Sequence, residues 1–202
     1  VLPLPPGHRF PMAKYARLRE RVAAIAPDRM REPPAATDEE LARAHDPAYV
    51  EAVTAGTLDE RAMRRIGFPW SPALIERSRR SPGGTLAALA AALSGDGIAA
   101  NLAGGTHHAA FDRGGGYCVF NDSVIAARHV RAHGLARRVL VIDLDVHQGN
   151  GTAELCRDDD AIFSFSMHAA RNYPAVKPAS DLDVALADGT DDARYLDALA
   201  EH

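Results

Sequence analysis

Four successive apolar residues, Val139 to Ile142, run straight into D-L-D-V-H-Q-G-N-G, from Asp143 to Gly151. A strand that is apolar at every position needs cover on both faces, which a parallel sheet in an α/β protein provides. Here that strand, expected over Arg138 to Asp145, ends in three alternating titratable groups, Asp143, Asp145 and His147. Charge at the end of a buried strand is costly unless something compensates it. One short stretch therefore asks for a parallel sheet and for a ligand at its carboxyl edge, where open α/β sheets bind their ligands.

The remaining sequence supplies the helices and strands such a sheet requires. With 47% of its 202 residues apolar, the chain can bury a substantial core. Met12 to Ile25 has the pattern of an amphipathic helix stopped by Pro27, and Met30 to Ala36 is a proline-rich loop. Thr37, followed by Asp38, Glu39 and Glu40, is an N-cap with an acidic first turn, opening a short helix through His45. Pro47 can start the next helix, and 58–66 and 72–80 can each be helical. Gly84 to Leu93 predicts a small-residue helix, and Ile98 to Leu102 a short buried strand.

From Asn101 to Asp122 there are five glycines and little helical periodicity, which marks a loop that bends sharply or approaches a ligand closely. Asn121 or Asp122 caps a helix reaching His133-Gly134. A helix over Thr152 to Cys156, strands over Ala161 to His168 and Leu182 to Ala187, and a last helix from Asp191 follow. This alternation predicts an α/β fold with a mainly parallel sheet.

Charge and cysteine usage narrow the function. A net charge of -4 and a pI near 6.1 leave no electrostatic footprint for nucleic acid, and no basic block suggests a membrane surface. No segment approaches the roughly 20 apolar residues of a membrane span. The two cysteines, Cys118 and Cys156, form no C-x-x-C pair, so a reducing cytoplasm is the expected setting.

If the extended conformation continued past the strand, its two-residue period would aim Asp143, Asp145 and His147 to one side. Carboxylate and imidazole are both zinc donors, and a second carboxylate can orient a neighbouring group; the alternative is an ordinary polar strand end. His107-His108, in the glycine-rich loop, can converge on the same crevice, with Asp143 and Asn150 available to orient the two imidazoles. Paired histidines with unlike partners can hold different protonation states and divide acid and base work.

Four blocks in order, G-G-T-H-H-A, R-G-G-G-Y-C-V-F-N-D, V-I-D-L-D-V-H-Q-G-N-G-T and F-S-F-S-M-H, resemble the zinc-dependent histone deacetylase superfamily. The P-G-H-R-F-P-M start, the H-Q-G-N-G wording and S-D-L-D-V-A-L-A-D-G-T are most similar to its bacterial class IV-type members. The resemblance implies one deacetylase-like domain over 1–202 with the arginase/deacetylase fold, a three-layer α-β-α arrangement incomplete at its C-terminal side. It implies Zn2+, or Fe2+, held by Asp145 and His147. Asp143 would back His107, and Asn150 would accept from His108, the general base. Gly116 and Tyr117 match the substrate tunnel, with Tyr173 as the facing wall or else an ordinary loop aromatic. Asp143, Asp145, His147, Ser166 and Met167 match a structural K+ or Na+ site. The implied substrate is an acylated protein lysine or an acylated small amine.

The family's third zinc ligand, a later Asp, and its later catalytic Tyr have no counterpart here, and both ends read as cut. The expectation for these 202 residues alone is therefore weak metal binding and little or no hydrolysis. Two other readings stand beside it: a non-catalytic acyl-lysine or polyamine binding module, and an arginase-like ureohydrolase, which would need further carboxylates for a second ion. Cys118 is expected to be a packed thiol. His8, His45, His129, His133 and His202 are expected at the surface or as caps, Asp181 and Asp183 on a polar strand face.

Overall fold

The computed structural model describes residues 2–202. Its elements are α1 (Ala13–Ile25), a 3-10 turn (Pro27–Arg29), α2 (Asp38–Leu41), α3 (Pro47–Ala55), α4 (Glu60–Ile66), α5 (Pro72–Ser94) and α6 (Asp122–Ala132). Then follow β1 (Val139–Asp143), α7 (Asn150–Cys156), β2 (Ile162–Ala169), β3 (Leu182–Leu186) and α8 (Asp192–Glu201). The three strands form one sheet in the order β1-β2-β3, and both pairings are parallel. The α/β architecture with a parallel sheet is thus the one the V-L-V-I run demands.

Local chemistry starts most helices. Thr37 and Glu40 form a reciprocal capping box on α2, and Asp46, Asp59 and Ser71 each accept a backbone N–H at the start of α3, α4 and α5. Asn121 is the cap of α6, its side chain accepting from the Val124 amide, and Asp122 stands in the first turn. Leu41, Val53, Ile66, Leu74, Phe120, Val124, Ile125 and Ile162 make a common core, each at most 1% exposed. Burying one such side chain stabilises the fold by roughly 1.5–3 kcal/mol.

β1 turns Val139 and Val141 toward this core, whereas Leu140 and Ile142, on the other face, are more than half exposed. Phe163, the register partner of Leu140, is also exposed, so an apolar strip of the sheet lies uncovered. At the carboxyl edge the register aligns Asp143 with Ser166 and Ser166 with Asp183, one polar row across all three strands. Among the described residues no helix is long and apolar enough to cross a membrane.

Three expectations are corrected. The helices expected over 72–80 and 84–93 are one helix, α5, with Pro82 inside it. The face carrying Ser81, Pro82, Gly83 and Gly84 is buried, and Gly83 passes so close to the Pro34 carbonyl that a side chain there would collide with it. Ile98 to Leu102 forms no strand, and Ile98 is 89% exposed. Asn101 anchors the segment instead, donating to the Ser81 carbonyl (2.8 Å) and Thr85 Oγ1 (2.9 Å) and accepting from the Ala103 amide (3.0 Å). Finally, β1 ends at Asp143, two residues before its expected end at Asp145.

Candidate active site

The strand ends because its own side chains capture the backbone. Asp143 Oδ1 accepts the Asp145 amide at 3.0 Å, and Asp145 Oδ1 accepts the His147 amide at 2.8 Å. These are successive side-chain-to-backbone turns, which compete with a sheet ladder. Asp143 therefore projects from the last residue of β1, and Asp145 and His147 from a wound loop instead of an extended strand. Asp145 Oδ1 also lies 2.8 Å from His147 Nδ1, and the side chains are 51% and 38% exposed.

The His107-His108 pair lies across from this loop, and both histidines are buried. His107 Nδ1 donates to Asp143 Oδ2 at 2.5 Å, and His108 Nδ1 donates to Asn150 Oδ1 at 2.7 Å. The two rings lie 4.0 Å apart, and the His108 ring is 5.7 Å from that of His147. His107 Nε2 lies 3.9 Å from Asp145 Oδ1. Close backbone approach makes this possible. A side chain at Gly149 would collide with Asp143 Oδ2, and one at Gly116, where φ is +53°, with the His108 ring.

These surroundings push the two imidazoles in opposite directions. Burial disfavours the charge on His107, but the hydrogen bond and charge of Asp143, with the charges of Asp145 and Asp122, outweigh it and raise its pKa. His108 is lowered to about 4, first by burial and then by the neighbouring His107 charge, with the Asn150 bond opposing. Burial also works against the Asp145 carboxylate. The His147 amide, the His107 charge and the His147 side chain prevail, holding it below the usual carboxylate range.

Tyr173 stands edge-on to the His108 ring at 4.8 Å. Tyr117, at φ +68°, directs its ring against Phe10, Phe68 and His8, with centroid distances of 4.9, 5.1 and 6.1 Å. Gly116 thus lies between the His108 ring and an aromatic cluster. Ser166 is the cross-strand neighbour of Asp143, and its hydroxyl pairs with His168 Nδ1 at 3.0 Å; Met167 is buried beside it. Cys118 is a buried thiol with its pKa pushed up to about 12 by burial. Asp181 and Asp183 are hydrogen-bonded at β3. Asp181 accepts from the Ser164 amide and hydroxyl, and Asp183 accepts from Gln148 Nε2 at 2.9 Å, tying β3 to the loop after His147.

Asp145 and His147 could contribute to holding a metal: a carboxylate oxygen and an imidazole nitrogen lie side by side and partly open to solvent, the donor types zinc takes. Among the described residues no group of three His, Cys, Asp or Glu side chains gathers to hold an ion. The pair fits part of a donor set.

Sequence reasoning missed the buried supports. His45, expected at the surface or as a cap, is fully buried. Its Nδ1 donates to the Ala110 carbonyl and its Nε2 accepts the Asn121 amide, both at 2.8 Å. His8, with the same expectation, is part-buried, bonds the Gly67 carbonyl at 3.0 Å and stacks on Phe68. A lone histidine in H-D-P carries no local signal of such partners, because they lie 65 and 76 residues away in sequence.

Comparison with known proteins gives the family. The chain is 45% identical over 205 residues to an uncharacterized protein of Picosynechococcus, covering 100% of this chain and 68% of that one. It is 34% identical over 150 residues to the acetoin utilization protein AcuC of Bacillus subtilis (70% of this chain, 38% of that protein). Against the polyamine deacetylase HDAC10 of Rattus norvegicus it is 32% identical over 159 residues (73% and 27%). The chain therefore spans between about a quarter and two thirds of the length of these relatives. A solved HDAC homolog complexed with SAHA superposes with a TM-score of 0.80 at 26% identity, over 97% of this chain and 59% of that one. An HDAC homolog from Aquifex aeolicus gives 0.77 at 26% identity, over 93% and 56%. The histone deacetylase domain model matches residues 8–202, and the chain belongs to the histone deacetylase family.

Proposed function

We propose that the chain carries the upstream part of the active site of a metal-dependent amidohydrolase that removes acetyl or longer acyl groups from lysine side chains or small amines in the cytoplasm. The observation that carries this reading is the pair of adjacent imidazoles with unlike partners, Asp143 on His107 and Asn150 on His108, displaced to opposite sides of the ordinary histidine pKa. Two neighbouring groups so separated are suited to divide proton transfers between them.

Asp145 and His147 would hold Zn2+, or Fe2+, which when bound polarises an amide carbonyl and lowers the pKa of water. His108, kept neutral, is the general base: its Nδ1–H is engaged by Asn150 Oδ1, so Nε2 is the free acceptor for a proton. His107, whose Nδ1 donates to Asp143, is the group that retains positive charge and steadies developing negative charge. Gly116 and Tyr173 border the imidazole of His108 and would guide the acyl chain to it, with Tyr117 backing the glycine. Ser166 and Met167 with the Asp143–His147 loop would hold a structural K+ or Na+ below the site.

The test is hydrolysis of an acetyl-lysine peptide, longer acyl-lysines and acetylpolyamines by the zinc-loaded protein at its relatives' full length and by the 202-residue chain. Turnover lost on His108→Ala supports the reading, and no hydrolysis of any substrate at full length sinks it. A second reading, binding of the acyl group without turnover, is favoured by the two-donor count among the described residues. Saturable acetyl-lysine binding without hydrolysis at full length would establish it.

A further inference from the structure

Asn121 and Asp122 start helix α6, yet the Asp122 carboxylate makes no hydrogen bond to that helix. It is 1% exposed and accepts four hydrogen bonds. Oδ1 takes the Thr106 amide (2.7 Å) and hydroxyl (2.6 Å), and Oδ2 takes the Gly105 amide (3.1 Å) and the Thr85 hydroxyl (2.5 Å). The cap of α6 comes from Asn121 Oδ1, which accepts the Val124 amide at 3.1 Å. A buried carboxylate without a cationic partner is costly, and here its compensation comes mainly from the two residues before His107. Helix capping does not explain its position.

Asn121 grips the other side. Its Nδ2 donates to the Ala109 carbonyl (3.2 Å) and to Thr152 Oγ1 (3.1 Å), and its backbone N–H reaches His45, which holds the Ala110 carbonyl. The Thr152 amide meanwhile donates to the His107 carbonyl at 3.1 Å. The backbone is thus fixed at 105–106 and again at 109–110, and the only residues between the grips are His107 and His108.

We propose that Asn121 and Asp122, with His45 and Thr85 behind them, are positioning residues that hold His107 and His108 at the angles from which they meet Asp143 and Asn150. The proposal rests on the catalytic reading of those histidines for its kinetic consequence but not for its geometric one. Thr85 is the informative place to perturb, because its hydroxyl reaches Asp122 and its side chain has no hydrogen bond to either imidazole.

The experiment compares Thr85→Val and Thr106→Val, which remove a hydroxyl, with Thr85→Ser and Thr106→Ser, which keep it. The readout is the imidazole Nδ1–H resonances of His107 and His108 in 15N-labelled protein, with the melting temperature measured alongside. Both Val variants should displace these resonances, and both Ser variants should reproduce the parent. In zinc-loaded protein at the relatives' full length, the Val variants should lose roughly tenfold or more in kcat at unchanged KM, as expected when a reacting group is slightly misaimed. Where a Val variant does not fold, Ala at the same position removes the hydroxyl without adding bulk and takes its place. Val variants that melt lower while both resonances stay fixed would overturn the proposal. If the parent itself hydrolyses nothing, the catalytic reading fails while the resonances still decide the clamp.

Discussion

His45 makes the stability of this chain depend on pH in a calculable way. Its Nε2 accepts the Asn121 amide, so protonation there would set one N–H against another inside a site walled by Tyr49 and Phe120. Burial, with Arg128 adding to it, lowers its pKa from 6.5 to about 4, despite the opposing Ala110 bond. The unfolded chain binds this proton more tightly than the folded one, so the stability it confers is complete above pH 6.5. It is lost as pH falls toward 4, where the loss levels off at about 3 kcal/mol.

Between pH 8 and pH 5 the loss is about 2 kcal/mol on the same linkage relation. Other histidines contribute slopes of their own: His108 in the same sense and His107 in the opposite one. The quantity to measure is therefore the difference between parent and His45→Gln. Glutamine can still accept from Asn121 but does not titrate, and leaving the Ala110 carbonyl unpaired costs about 1–3 kcal/mol at pH 8. Urea unfolding followed by Trp70 fluorescence suits the purpose, because the single tryptophan donates to the Val53 carbonyl on α3, the helix just after His45. The advantage of the parent should shrink by about 2 kcal/mol from pH 8 to pH 5. An advantage equal at both pH values would refute the assignment of a buried neutral imidazole.

Three further outcomes follow from the site. Gly149→Ala, whose new side chain meets Asp143 Oδ2, should cost about 1–3 kcal/mol and disturb the His107–Asp143 hydrogen bond, read as a shift of the His107 Nδ1–H resonance from its position in the parent. His147→Ala and Asp145→Asn should each weaken Zn2+ binding at least tenfold in competition with a chromogenic chelator; unchanged affinity in both would remove them as donors. Cys118 and Cys156, both buried, with thiol pKa values pushed up by burial to about 12 and about 11, should react with a thiol reagent at pH 8 only when the protein is unfolded in urea.

The parallel sheet was legible because V-L-V-I and F-S-F-S-M are dense in strand-forming apolar residues, although the cover expected on both faces does not extend over Leu140, Ile142 and Phe163. The helix starts were legible because a cap is a matter of three or four neighbouring residues, as at Thr37 and Asn121. What the sequence could not carry were partners distant along the chain. Ile98 to Leu102 has the composition of a strand, but Asn101 finds Ser81 and Thr85, and no strand neighbour competes for its backbone. His45 looks like any loop histidine until the glycine-rich loop folds over it. Pro82 looks like a helix stop until Gly83 and Gly84 let neighbouring chain pack tightly against an uninterrupted helix.

The D-x-D-x-H stretch leaves the extended conformation after Asp143 yet still brings its groups together, for a reason that also separates its two carboxylates. A two-residue period aligns side chains along a strand, and a carboxylate also captures the amide two residues ahead in a turn, so the same spacing serves both geometries. Once the chain takes the turns, each oxygen can be followed. Asp143 gives Oδ1 to the Asp145 amide and Oδ2 to His107, leaving neither oxygen free, and its side chain is 13% exposed. Asp145 gives Oδ1 to His147, while its Oδ2 takes no hydrogen bond from the described residues, and the side chain is 51% exposed. A carboxylate with a hydrogen bond on each oxygen is held in one orientation, which suits it to fix a histidine. Of the two carboxylates, Asp145 alone keeps an oxygen with no hydrogen bond from the described residues, the one suited to a divalent cation beside His147.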